Sequence, residues 1–440
     1  MSALRRLPSL VCALSLTALC SGAQAGASGP FMPVGQLGTF VANRPGEFGT
    51  SISASSGRIA VGTPHTSIPG TPSLPDVGRV YIHRFQNGAW VENSYSIESP
   101  PPQFQQSGME FGAAVAISGN DMIVGAPGEN VSSIVDAGAV YFYRRDAEGI
   151  WQFRDRSDSN IVQTGQRFGA SVAITATYAA AGAPGYNQDS QTVDTGRVTT
   201  YFRGSDAGSY LQSGGELTPS PQGFEAFGSS LHFQDFASGT DRLFIGAPNR
   251  DVNGVAFTGS AYFYERVGGA WDLRQTFAPV VGAGDFGGSA IATNGDYLFV
   301  GARGRDAPGG MGSAGSVRVY LMGINGLYGF DDELRASDAQ SSAFFGSAIA
   351  ASATRLVVGA PTHNAGATNS GRAYVFDRQT LAGETLYVQI GALALPNAPA
   401  NNDQLGSAVA AAASFVFAAA PQRDIDINGT VYVDAGTSSE

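Results

Sequence analysis

Short apolar runs alternate with polar turns along most of this chain, at the spacing of strands rather than helices. The stretch "FGAAVAISGNDMIVGAP", Phe111 to Pro127, shows the unit: two apolar runs on either side of Ser-Gly-Asn-Asp, opened by Phe-Gly and closed by Gly-Ala-Pro. That pattern predicts a β-hairpin. Its opening recurs at Phe48-Gly49, Phe168-Gly169, Phe227-Gly228, Phe286-Gly287 and Phe345-Gly346, with a softened copy at Leu405-Gly406. The matching stops are "VGTP" at Val61, "AGAP" at Ala181, "IGAP" at Ile245, "VGAR" at Val300, "VGAP" at Val358 and "AAAP" at Ala418. After each stop come a loop, a Gly and a third strand rich in aromatics, such as "GAVYFY" from Gly138, and often a fourth strand.

Four strands per unit, with units beginning near 48, 111, 168, 227, 286, 345 and 405, predict an all-β fold: a seven-bladed β-propeller of four-stranded antiparallel blades. The last unit stops at its third strand, near Val433, and "FMPVGQLGTFV" from Phe31 stands where a fourth strand is missing. The N-terminal strand is therefore expected to close the last blade, which removes exposed edges. Small side chains in the first strand of each unit suit the crowded axis. Phe is expected to wedge between blades, and Gly to let backbones approach closely. "LGSAVAAAASFVFAAA" has helical composition, but Leu405-Gly406 and Ala420-Pro421 fall in the repeat's register, so a hairpin is expected there.

These repeats resemble the FG-GAP family, known from the N-terminal propeller of integrin α subunits and from bacterial secreted proteins. The resemblance spans roughly residues 31–433 and implies the propeller. It also implies calcium loops of the Asp-x-Asp-x-Asp-Gly kind between first and second strands, and here the sequence departs: "SASSGR", "SGND", "TATY", "TNGD" and "SATR" lack three alternating acids. The string Asp424, Asp426, Asn428 lies instead after a second strand, with Ala435 where an EF-hand has its bidentate Glu. It is the one place where calcium is a candidate cofactor; the competing reading is a polar loop with an Asn-Gly turn.

Composition adds compartment and partner class. Residues 1–25 read as a signal peptide: Arg5 and Arg6, an apolar core from Leu7 to Leu19, and Ala23-Gln24-Ala25. Residues 26–440 then form one propeller domain, expected to be secreted, whether periplasmic, extracellular or surface-associated. Cys12 and Cys20 both lie in the leader, so thiol chemistry and disulfides are excluded from the remainder. Losing Arg5 and Arg6 leaves 23 basic against 36 acidic residues, so a net charge of −11 becomes −13, which argues against nucleic acid and anionic membranes as partners. After the leader no segment is long and apolar enough to be a transmembrane span.

Loops between second and third strands, with the connections between units, share one face of a propeller. They are longer and more varied than the opposite turns, so binding is expected there. The candidate residues are His65, Tyr186, Asn187, Arg250, Asp251, Arg303, Arg305, Asp306, His363, Asn364 and Arg423. The four His are scattered, and no His-Glu-x-x-His, Gly-x-Ser-x-Gly or phosphate loop occurs. No catalytic residue is proposed, and the chain is expected not to be an enzyme. The expected function is a monomeric, non-catalytic binding or adhesion module for an extracellular protein or glycan. The alternatives are an extracellular hydrolase or lyase and a structural envelope or matrix component.

Overall fold

The computed structural model describes residues 47–422 except 69–72, 88, 93–96, 98–99, 205–209, 219–221, 235–240, 279–281, 382–383, 396–398 and 413–414. Residues 32–37, 89, 91–92, 211–215 and 430–435 are described as strand backbone only. The fold is an all-β propeller of four-stranded antiparallel blades. Six blades are each made of four consecutive strands. In blade 2 these are strand A, Ala114–Ser118; B, Asp121–Ala126; C, Ala139–Arg145; and D, Trp151–Asp158.

A further four-stranded sheet has Ala408–Ala412 innermost, then Phe415–Ala420, Thr430–Ala435 and Met32–Leu37. Its inner strand packs beside strand A of both blade 6 and blade 1. The expectation of seven blades is thus corrected to six built from consecutive strands. The seventh depends on this closing sheet, in which the Met32–Leu37 and Thr430–Ala435 backbones pair antiparallel.

The Phe-Gly and Gly-Ala-Pro elements are where adjacent blades meet. Phe111 bridges Gly78 of the preceding blade in parallel fashion, and Phe168, Phe227, Phe345 and Leu405 do the same with Gly138, Gly196, Gly315 and Gly371. The Gly of each Gly-Ala-Pro faces the Gly of the next Phe-Gly. A Cβ on Gly125 would lie 1.9 Å from the Gly169 carbonyl oxygen, and one on Gly182 would lie 2.2 Å from that of Gly228. No side chain fits there. Phe48, Phe111, Phe168, Phe227 and Phe345 are all buried. Four of them meet the aromatic strand-C residue of their own blade edge-on: Phe48–Tyr81, Phe111–Tyr141, Phe227–Tyr262 and Phe345–Tyr374, at 5.2–5.7 Å between ring centroids.

Blade 5 departs from this register by one residue. Gly287 makes the bridge to Gly259, and Gly288 takes the left-handed position, with φ +87°. The structural counterpart of Phe-Gly is therefore Gly287-Gly288. Phe286 is displaced to the preceding position, half-buried, and no Phe wedges into this junction.

The junction predicts unequal tolerance to one added methyl group. Gly125→Ala forces two backbones apart and is expected to cost about 3 kcal/mol, as overpacking at an unyielding contact does. Gly57→Ala lies in an A–B turn at φ +69° with no atom within 4 Å of the new Cβ, and is expected to cost about 1 kcal/mol. Denaturant midpoints of the two variants measure the difference, and equal losses would mean that the inter-blade contact sets no limit.

Candidate functional site

The B–C loops and the connections that enter each blade interlock on one face. The amide of Arg167, entering blade 3, donates to the Asp136 carbonyl in the B–C loop of blade 2, and that of Phe168 donates to Ala137. The same pair of bonds joins Ala226 and Phe227 to Asp194 and Thr195, and Phe344 and Phe345 to Ser313 and Ala314. Asp76, Asp136 and Asp194 hold φ near +50° at this corner, in keeping with a turn role for these acids.

The loops of blades 2 to 6 each have two inner anchors, and most of the sequence-derived candidates fill them. One is an Asn or Asp side chain that accepts a backbone amide across its own loop. Asn187 accepts from Asp194 at 2.8 Å, Asp251 from Phe257 at 2.9 Å, Asp306 from Ser313 at 2.9 Å and Asn364 from Asn369 at 2.9 Å. The other is the preceding residue, which turns inward to a charged or aromatic partner. Arg250 pairs with the fully buried Glu225 and lies 5.7 Å from the Tyr262 ring. Arg305 meets Asp285 at 2.8 Å and Glu333 at 3.4 Å. Tyr186 is buried, with the Arg197 guanidinium 4.0 Å over its ring. His363 is buried 3.3 Å from Asp338, which also binds Arg372 and accepts the Tyr374 hydroxyl at 2.6 Å. In blade 1 this position is the buried Thr66, whose carbonyl accepts the Gly78 amide as that of His363 accepts Gly371; His65 stands one residue earlier and is more open, 3.5 Å from Glu47 and 3.7 Å from Asp76.

Glu129 is the same inner anchor in blade 2. Arg156 donates to it at 2.8 Å through Nε, and the Tyr141 hydroxyl donates at 2.6 Å. Burial pushes the Glu129 carboxyl above the usual range despite Arg156 and Tyr141, which pull it down. Burial likewise raises Glu225 and Asp285 against their arginines. At Asp338 burial also pushes upward, but Tyr374, His363 and Arg372 outweigh it and hold the carboxyl below the usual range.

The candidate residues are thus distributed around the ring, one anchor pair in each of blades 2 to 6, rather than gathered into one cluster. Arg303 differs: it is exposed, makes no ion pair among the described residues, and lies 5.2 Å over the Phe286 ring. Arg423 and the calcium candidates Asp424, Asp426 and Asn428 lie outside the described residues. Among the described residues no three His, Cys, Asp or Glu side chains gather as metal ligands would, and no helix is long and apolar enough to cross a membrane.

Sequence reasoning missed the partners Glu225, Asp285, Asp338 and Arg156, which are distant in sequence from the loops they hold, and Arg197, which opens the strand after its own loop. It also missed exposed aromatics on this face: Phe224 and Phe257 are 57% and 45% exposed. The signal available was the repeat itself, read for the positions where it fails.

Along the axis, the inner strands enclose a cavity of about 390 Å³ lined mainly by aliphatic side chains such as Ile52, Val115, Ile174 and Ile349. Among the described residues His232 is its one titratable lining residue, and burial pushes this imidazole down to about 4 despite a hydrogen bond with the Thr293 backbone.

The sequence model of the FG-GAP repeat family matches residues 105–143 and 328–376. No curated protein sequence matches the chain. Similar solved structures include a periplasmic gluconolactonase of Pseudomonas aeruginosa, 15% identical, with a TM-score of 0.48 over 81% of this chain and 87% of that one. A protein from Lactobacillus plantarum is 12% identical, with a TM-score of 0.49 over 80% and 86%. At these values the likeness carries no residue and no activity to this chain.

Two outcomes follow from the anchors. Glu129→Ala removes the buried carboxylate that both Arg156 and the Tyr141 hydroxyl bind, and is expected to lose about 3 kcal/mol of stability, measured by chemical denaturation. His232 has a folded pKa below its unfolded value, so the unfolded chain takes up protons first as pH falls. Its contribution is present above pH ~6.5 and is lost between there and about 4. The stability margin of wild type over His232→Gln should therefore shrink across that window, and a constant margin would contradict the assignment.

Proposed function

We propose that the chain, an FG-GAP repeat β-propeller protein, is an exported, monomeric binding module that takes an extracellular protein or glycan on the face made by its B–C loops and inter-blade connections. In this reading the ring counts seven blades, with the Met32–Leu37 strand completing the last. The observation that carries the proposal is the contrast between the axial cavity and the loop face. Among the described residues the axial cavity offers aliphatic walls and a single imidazole, with no carboxylate in its lining to act as acid or base. The loop face offers rigid loops, each anchored inward, with Phe224, Phe257 and Arg303 left open to solvent. Rigid scaffolds that present such side chains lose little entropy on binding.

The anchors support the same reading. Arg250, Arg305 and His363 hold loops in place through Glu225, Asp285 and Asp338, so the face is preorganised before a partner arrives. A hydrolase or lyase acting on an extracellular polymer is the competing function, and it requires a convergent acid–base pair.

The test applies the purified chain to arrays of extracellular proteins and glycans, with calcium and with chelator, and assays the same polymers for chain cleavage. Saturable binding without cleavage is expected. Turnover of any polymer would replace this reading with the enzymatic one, and dependence of binding on calcium would assign the Asp424, Asp426 and Asn428 loop a metal.

A further inference from the structure

The repeat identifies its own exceptions. At the corner where a connection enters a blade, the residue whose amide bonds back to the previous B–C loop is Gly108, Gly165, Gly284, Ser342 or Asn402, and all five have positive φ. In blade 4 the same place is held by Phe224, at φ +62° and exposed. The left-handed position in the B–C loop, which meets the entry to the next blade, is Asp76, Asp136, Asp194, Ser313 or Asn369, but in blade 4 it is Phe257, at φ +52°, also exposed and facing the entry to blade 5. A bulky side chain in this region costs about 1–2 kcal/mol relative to glycine. Two aromatic rings are therefore held in solvent at positions where the backbone disfavours them.

A third exception adjoins Phe257. Arg303 stands where the other stops have Pro or, in blade 7, Pro421 after Ala420. Its guanidinium caps the Phe286 ring at 5.2 Å, and Phe286 in turn stacks on Phe257 at 6.1 Å and 28°. This is the junction that lacks a buried Phe wedge. Further along the same face, Val135 and Ile161 are 52% and 45% exposed. Aromatics with Arg at the centre of an apolar arc are the composition of protein-interface hot spots.

Resting on the loop-face reading, we propose that the Phe257, Phe286 and Arg303 patch, with Phe224 at the other junction of the same blade, is the docking site, and that its partner is a protein segment carrying apolar side chains beside a carboxylate. Charge supports the carboxylate: on a chain of net charge −11, Arg303 is an exposed cation with no ion pair among the described residues. One fact favours protein over glycan: phenylalanine rings have no hydrogen-bonding group for sugar hydroxyls. Local departures from a consistent repeat are expected at functional sites.

The test titrates the full chain with three probes: N-acetylated nonapeptides alternating Leu or Phe with Asp, the same peptides with Asn for Asp, and oligogalacturonate. The variants restore the residue of other blades: Phe224→Gly, Phe257→Asn and Arg303→Pro. Saturable binding of the acidic peptides is expected, about tenfold weaker for the Asn series. Phe224→Gly and Phe257→Asn should bind about tenfold more weakly while melting at or above the wild-type temperature. Arg303→Pro should lose the preference for Asp over Asn. Peptide binding that survives in all three variants overturns this patch but leaves loop-face binding standing. Binding of oligogalacturonate alone overturns the partner class, and binding of neither probe overturns the inference. Lower melting temperatures with unchanged affinity would make the aromatics structural and overturn it as well.

Discussion

The architecture depends on one close approach: the backbone of each Gly-Ala-Pro glycine against the carbonyl of the next blade's Phe-Gly. With 1.9–2.2 Å available to a hypothetical Cβ, only hydrogen is tolerated at these glycines. The contact sets the distance between blades, and the buried Phe beside it fills the space that the approach leaves. Parallel bridges such as Gly138 to Phe168 then fix the register of neighbouring blades. This is why the two glycines and the aromatic recur together: each is required by the same junction.

The loop face is built outward from that junction by a second set of repeated contacts. An inward-turning residue, Glu129, Arg250, Arg305 or His363, finds an oppositely charged or polar partner, while the next residue ties the loop amide to itself. Burial of these pairs carries a desolvation penalty, as the raised carboxyls of Glu129, Glu225 and Asp285 register. Their benefit is geometric: each loop leaves its blade in one conformation. Side chains at non-repeated positions, Phe257 and Arg303 among them, are carried on that fixed frame.

The repeated positions were legible because they obey a rule stated over and over in one chain. The same regularity misleads at the site. A polar residue after every second strand looks like a ring of ligand-binding groups, yet recurrence in every blade is what scaffold contacts share. His363 and Tyr186 read as loop residues, but both are buried, since the first residues after strand B turn inward rather than out. In blade 5, Phe286-Gly287 reads as one more copy, and only the hydrogen bonds show Gly287-Gly288 in its place.

The sequence by itself determined the all-β class, the four-strand unit, the boundaries of the repeats and the need for glycine at the junctions. These follow from local periodicity and from the conformational limits of single residues, both of which are written along the chain. The tertiary structure alone decided which polar groups are engaged and which are free. Glu225 meets Arg250 and Asp338 meets His363 across intervals of about 25 residues, because partners are selected by the folded ring and not by spacing. Exposure is decided in the same way: Phe227 and Phe224 are three residues apart, one sealed between blades and the other open to solvent.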